Sequence, residues 1–127
     1  MLLFYNTWFV RFGDNNKKVW NAMNNLMIEW SRKDKSIVSA FSMSGDPVTN
    51  VRISGLARTP SWIWVHISPG DKICDTSLVH ELVHIAIWAI EGDHGDPDHL
   101  GKKYSGWTMD HNILIQDVNV DLCILGL

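Results

Sequence analysis

Residues 77–90 read SLVHELVHIAIWAI, and apolar side chains surround this segment at nearly every angle of a helical projection. A helix that is apolar all round is stable in water only inside a core. The rest of the 127-residue chain therefore has to fold around it. Asp75 or Thr76 suits the N-cap of such a helix and Gly92 suits its stop. Three polar side chains, His80, Glu81 and His84, interrupt the apolar surface. Enclosed polar groups are costly without partners, so these three need a reason to be there.

The length argues for one domain spanning 1–127, with no repeat or linker to divide it. Aromatic and β-branched residues over 2–12 suggest a first strand, and Val19, Trp20, Met23, Leu26, Met27 and Trp30 suggest an amphipathic helix over 15–33. Five asparagines within that helix lower its propensity, so packing has to hold it. Apolar segments at 37–43, 48–57 and 62–67, separated by turn residues, predict a small meandering sheet. In the last of them Trp62, Trp64 and His66 alternate with Ile63, Val65 and Ile67, so one set faces a core. The tail at 113–124 fits either a helix or, from Val118, an alternating strand. The expected class is α+β, an antiparallel or mixed sheet of three to four strands packed on the 77–90 helix, with an additional N-terminal helix.

A net charge of -3 with scattered basic residues gives no footprint for nucleic acid. No segment approaches the roughly 20 apolar residues that a bilayer requires, and the N-terminal stretch has no features of an export signal. Cys74 and Cys123 stand far apart in sequence and suggest neither a disulfide framework nor a cysteine metal knuckle. A reducing, cytoplasmic location is the expectation.

His80 and His84, four residues apart, lie about 5 to 6 Å apart at Cβ on one helix face, which lets both imidazoles reach one metal ion. Glu81 lies one position round, where a carboxylate can serve as general base. With six histidines and three glutamates in the chain, H-E-x-x-H arises by chance about 0.006 times per shuffled sequence, which makes coincidence a poor explanation. A catalytic zinc site uses three protein ligands, so a third has to come from downstream, where His94, His99 and His111 are available. The helix carries the chain roughly 10 Å past His84. Three residues to His94 span at most about 10 Å, whereas eight residues to His99 span about 27 Å, so His99 returns without strain. One of Asp93, Asp96, Asp98 and Asp110 suits the second ring N–H of a ligating imidazole, although the sequence assigns none. Tyr104 is a candidate to donate to an oxyanion if it faces the metal, with a packed or half-exposed position as its competing role, and Met109 is a candidate hydrophobic floor beneath the metal, with core filling as its competing role. Trp62 and Trp64 are candidates to line a substrate groove, with burial in the core as the competing role.

The segment from His80 to His84, with its downstream histidine and aromatic, resembles the zincin metallopeptidases, and among them the compact SprT-like class of intracellular zinc proteases. The resemblance covers roughly 62–104. In that class a third histidine follows in a His-Gly-x-x-aromatic element, and the stretch here is His99-Leu-Gly-Lys-Lys-Tyr104, with one extra residue before the glycine. The metzincin pattern would need glycine at Ile87 and histidine at Ile90, and the glutamate-ligated variant would need a glutamate later than Glu91. The resemblance implies a sheet packed on the active-site helix whose edge strand aligns an extended peptide, with 62–67 as the candidate edge.

These features lead to the expectation of a zinc metallopeptidase in which His80, His84 and His99 hold Zn²⁺, Glu81 is the general base, Tyr104 assists, and the substrate is a protein or peptide. The alternative is a zinc-containing non-catalytic binding or regulatory module derived from a peptidase fold, for which four ligands (His80, His84, His99, His111) would close the site. A third possibility is a peptidase that cuts a single protein.

Overall fold

The fold is known from a computed structural model and is described over residues 1–13, 17–32, 37–41, 47–52, 54–92 and 107–127, with backbone alone considered for 37–41 and 47–52. Residues 2–12, expected as a strand, form helix α1 (Leu2–Phe12). Strand alternation would have put Phe4, Trp8, Val10 and Phe12 on one face. The four-residue spacing of Phe4, Trp8 and Phe12 instead makes a helical stripe, with Phe4 and Trp8 in the core while Val10 is left 86% exposed. The Trp8 ring lies 4.6 Å from Phe12, and Gly13, at φ 77, closes the helix by donating its N–H to Phe9.

The helix expected over 15–33 is cut short. It runs as α2 (Lys18–Asn24), burying Val19 and Met23. The side-chain amide of Asn25 then takes the Asn21 carbonyl, and the chain continues as strand β1 (Met27–Ser31). Met27 and Trp30, placed on the helical stripe by their spacing, lie in that strand instead. The asparagine-rich segment holds too little helix propensity to resist strand pairing further along, a common outcome when propensity meets tertiary structure.

Strands β2 (Ile37–Phe41) and β3 (Pro47–Arg52) form their own antiparallel pair. The segment expected as one strand over 48–57 is therefore two, β3 and β4 (Gly55–Thr59). Strand β5 (Trp62–His66) runs parallel to β1 and antiparallel to β4, giving a three-stranded mixed sheet of order β1-β5-β4. β5, expected at the edge, is thus the central strand. The reason lies in its composition: Ile63 and Val65 are fully enclosed and Trp64 nearly so, as suits a strand flanked on both sides. Trp62 is occupied by its neighbours, donating its indole N–H to Glu29 at 3.1 Å beneath the Arg58 guanidinium.

Helix α3 (Leu78–Glu91) crosses the core as the sequence requires, with Val79, Leu82, Val83, Ile85, Ala86 and Ile87 enclosed. Its N-cap is Ser77, one residue beyond the expected position, and Gly92 ends it at φ 76. Helix α4 (Met109–Ile124) settles the choice left open for the tail. His111, Leu114 and Val118 recur at three- and four-residue spacing and turn into the core, and α1, α2 and the sheet complete the enclosure of α3. Among the described residues no helix is long and apolar enough to cross a membrane. The architecture is α+β.

Cys74, in a short 3₁₀ turn (Ile73–Asp75) ahead of α3, is disulfide-bonded to Cys123 near the end of α4, with Cα atoms 5.5 Å apart. This corrects the expectation of unpaired thiols, and the cysteine count no longer supports a reducing compartment. Spacing in sequence carries no information on such a pair, because only the docking of α4 brings the two together. A cross-link that closes 49 residues restricts the unfolded chain by roughly 4 kcal/mol. The double variant C74S/C123S is accordingly expected to lose on the order of 4 kcal/mol in urea unfolding, and wild type plus a dithiol reductant should lose the same amount.

Candidate metal centre

Helix α3 sets His80 and His84 one turn apart, with ring centroids 5.0 Å apart and planes at 71°. Each of His80, Glu81 and His84 offers one ligand atom such that all lie within 4.8 Å of one another, so this His-Glu-His group could hold a metal ion. Glu81 is 5% exposed and His84 9%, while His80 is half-buried. Two imidazoles and a carboxylate are a donor set that suits borderline divalent metals rather than calcium or magnesium.

Glu81 points at β4. The Ala57 backbone N–H donates to its carboxylate, yet burial dominates and pushes its pKa from 4.5 up to about 8. Without a cation nearby, Glu81 is therefore mainly protonated at neutral pH. The close approach of β4 to α3 depends on Gly55. A Cβ there would lie 2.5 Å from Ser77 Oγ, 2.9 Å from Glu81 Cγ and 3.0 Å from Glu81 Oε1. The Ser77 hydroxyl completes the junction by donating to the Ser54 carbonyl at 2.7 Å. Helix start, general-base candidate and edge strand are thus fastened at Ser54, Gly55 and Ala57.

The indole of Trp107, which precedes the Thr108 N-cap of α4, lies 5.0 Å from the His80 ring and 4.8 Å from the His84 ring. Among the described residues it is this tryptophan, not Met109, that lies against the two imidazoles. Met109 itself starts α4 with its side chain 70% exposed, because the capped first turn directs it to solvent. No local sequence signal marks Trp107 for this contact, which depends on where α4 docks.

His111 is not part of the metal-competent group found among the described residues. Its ring stacks on Phe12 at 4.3 Å and 17°, and its Nδ1 accepts the Thr108 backbone N–H at 3.0 Å as half of a capping box. Burial lowers its pKa, with the neighbouring Asp110 working the other way. It is a core and capping residue, and the four-histidine closed site loses it as a member. Asp110 is engaged on the surface by Arg11 at 3.4 Å. Trp64 is buried, its competing role, and Trp62 is held by Glu29 and Arg58. His94, His99, Tyr104, Asp93, Asp96 and Asp98 lie outside the described residues. No family model, no curated protein and no solved structure matches the chain.

Two outcomes follow for the metal-free protein. Glu81 binds its proton more tightly when folded than when unfolded, so its stabilising contribution is complete below pH 4.5 and is lost as pH rises toward 8. E81Q should therefore gain stability relative to wild type across that window, by up to a few kcal/mol at pH 8, in chelator-treated samples unfolded at several pH values. The second concerns space. G55A should lose about 1–3 kcal/mol, because neither the backbone of β4 nor the buried Glu81 can yield freely.

Proposed function

We propose that the chain is a zinc-dependent metallopeptidase of the zincin type, similar to the SprT-like class, acting on a protein or peptide substrate as a single domain. The observation that carries this reading is the convergence of His80, Glu81 and His84 on one spot of an enclosed helix, with Glu81 facing an edge strand. The two imidazoles fit zinc: His80 and His84 would hold it, His99 is the candidate third ligand, and Glu81 is kept for the base role. When bound, zinc supplies Lewis acidity toward water and toward a carbonyl oxygen.

The remaining chemistry belongs to the chain. Glu81 is enclosed in a poorly solvated site, where a carboxylate is a stronger base than in water. Its role is to accept a proton from the attacking water on one carboxylate oxygen and return it to the leaving amine. The Ala57 N–H restrains the orientation of that carboxylate. Strand β4 flanks the group, and its side away from β5 is the edge of the sheet among the described residues. An extended peptide added there would run beside Glu81, which moves the substrate-aligning strand from 62–67 to Gly55–Thr59. Tyr104 is the candidate for stabilising the oxyanion.

Metal analysis of purified wild type should give one zinc per chain. H80A, H84A and H99A should lose it, while H111N keeps it. E81Q should retain zinc and lose at least about 100-fold in peptide cleavage, the usual contribution of a general base. Full activity in E81Q would refute the proposed mechanism. Stoichiometric zinc with no cleavage of any substrate in a broad peptide library would instead establish a non-catalytic zinc module.

A further inference from the structure

Among the described residues, Trp107 is an aromatic partner that both histidines share. Its indole stands at 5.0 Å from one imidazole and 4.8 Å from the other, at an interplanar angle of 47° to each. It is itself held from behind. The indole N–H donates to the Asn112 side chain at 2.9 Å, and its backbone leads directly into the Thr108–His111 capping box. His111 in turn is stacked on Phe12 and packed 5.3 Å from Trp8, which roots the first turn of α4 in the core. A chain of contacts thus runs from the enclosed aromatic residues of α1 through His111 and Trp107 to the two imidazoles.

We infer that Trp107 is a positioning residue of the metal centre, one that orients the His80 and His84 rings and favours their metal-bound state over their empty state. The inference rests on the metal-centre reading above. Two physical effects act together. The indole restricts rotation of both imidazoles before the ion arrives, so less side-chain freedom is lost on binding. An imidazole that donates a lone pair to a dication also becomes electron-poor, and an indole face attracts positive charge from centroid distances within about 6 Å. The second effect exists only in the loaded state and therefore appears in affinity rather than in the stability of the metal-free fold. It also ranks substitutions, because indole is a stronger π-donor than benzene and leucine has no π-face.

The test is a zinc titration by competition with a chromophoric chelator on wild type, W107F, W107L and N112A, with metal-free melting temperatures recorded in parallel. Zinc affinity should fall about 2- to 5-fold in W107F and 10- to 100-fold in W107L, the range seen when groups that orient metal ligands are removed. N112A, which frees the indole N–H, should fall between wild type and W107L. Cobalt(II) added in place of zinc should quench tryptophan emission in wild type, and most of that quenching should be missing in W107F. Folded W107L with wild-type zinc affinity overturns the inference, as does a loss confined to the metal-free melting temperature. If W107L does not fold, wild-type affinity in both W107F and N112A has the same consequence. Wild type that binds no zinc, or H80A and H84A that bind it undiminished, instead removes the metal centre itself.

Discussion

Enclosing α3 is the constraint that the rest of the structure answers to. The helix has no face suited to water, so α1, α2, α4 and the three-stranded sheet all contribute side chains to cover it. His80, Glu81 and His84 are carried into that enclosure and are met from two directions. Glu81 is met by a backbone N–H of β4, while His80 and His84 are met by the indole at the entrance to α4. None of these contacts supplies a charge opposite to a buried carboxylate, which is why burial lifts the Glu81 pKa so far. A metal ion held by His80, Glu81 and His84 would offset the burial of that carboxylate.

The same constraint explains the close fit between β4 and α3. Gly55 is required by lack of space, Ser77 caps the helix while its hydroxyl reaches across to the strand, and Ala57 turns its N–H away from β5 toward Glu81. Strand and helix start are locked at one junction, so the carboxylate is placed by backbone atoms rather than by flexible side chains. Groups held in this way need little reorganisation when charge changes beside them.

Much of the candidate site was legible because it is local. The spacing of His80, Glu81 and His84 within one helix determines their mutual geometry without reference to the rest of the fold. The enclosure of α3 was equally legible from its uniform apolar surface. What was not legible depended on partners distant in sequence. The stripe Val19 to Trp30 scans as one helix, and only the availability of β5 as a parallel neighbour turns its second half into β1. The stretch 2–12 was ambiguous between periods of two and four, because Phe4, Trp8 and Phe12 satisfy both and only Val10 separates them. Trp107 and the Cys74–Cys123 bond were hidden for the same reason: each depends on where α4 docks.

That bond gives the molecule a covalent topology that the linear chain does not suggest. Residues 74 to 123 form a closed ring, and His80, Glu81, His84, His99, Tyr104 and Trp107 all belong to it, while the β4 edge lies outside on the N-terminal tail of the ring. A single backbone cut anywhere inside the ring would release no fragment, because both new ends would stay tethered through sulfur. A nicked molecule would keep its mass apart from one added water and would separate into pieces only on reduction. For a chain proposed to hydrolyse peptide bonds, damage by its own kind would thus leave the proposed ligands attached to one another.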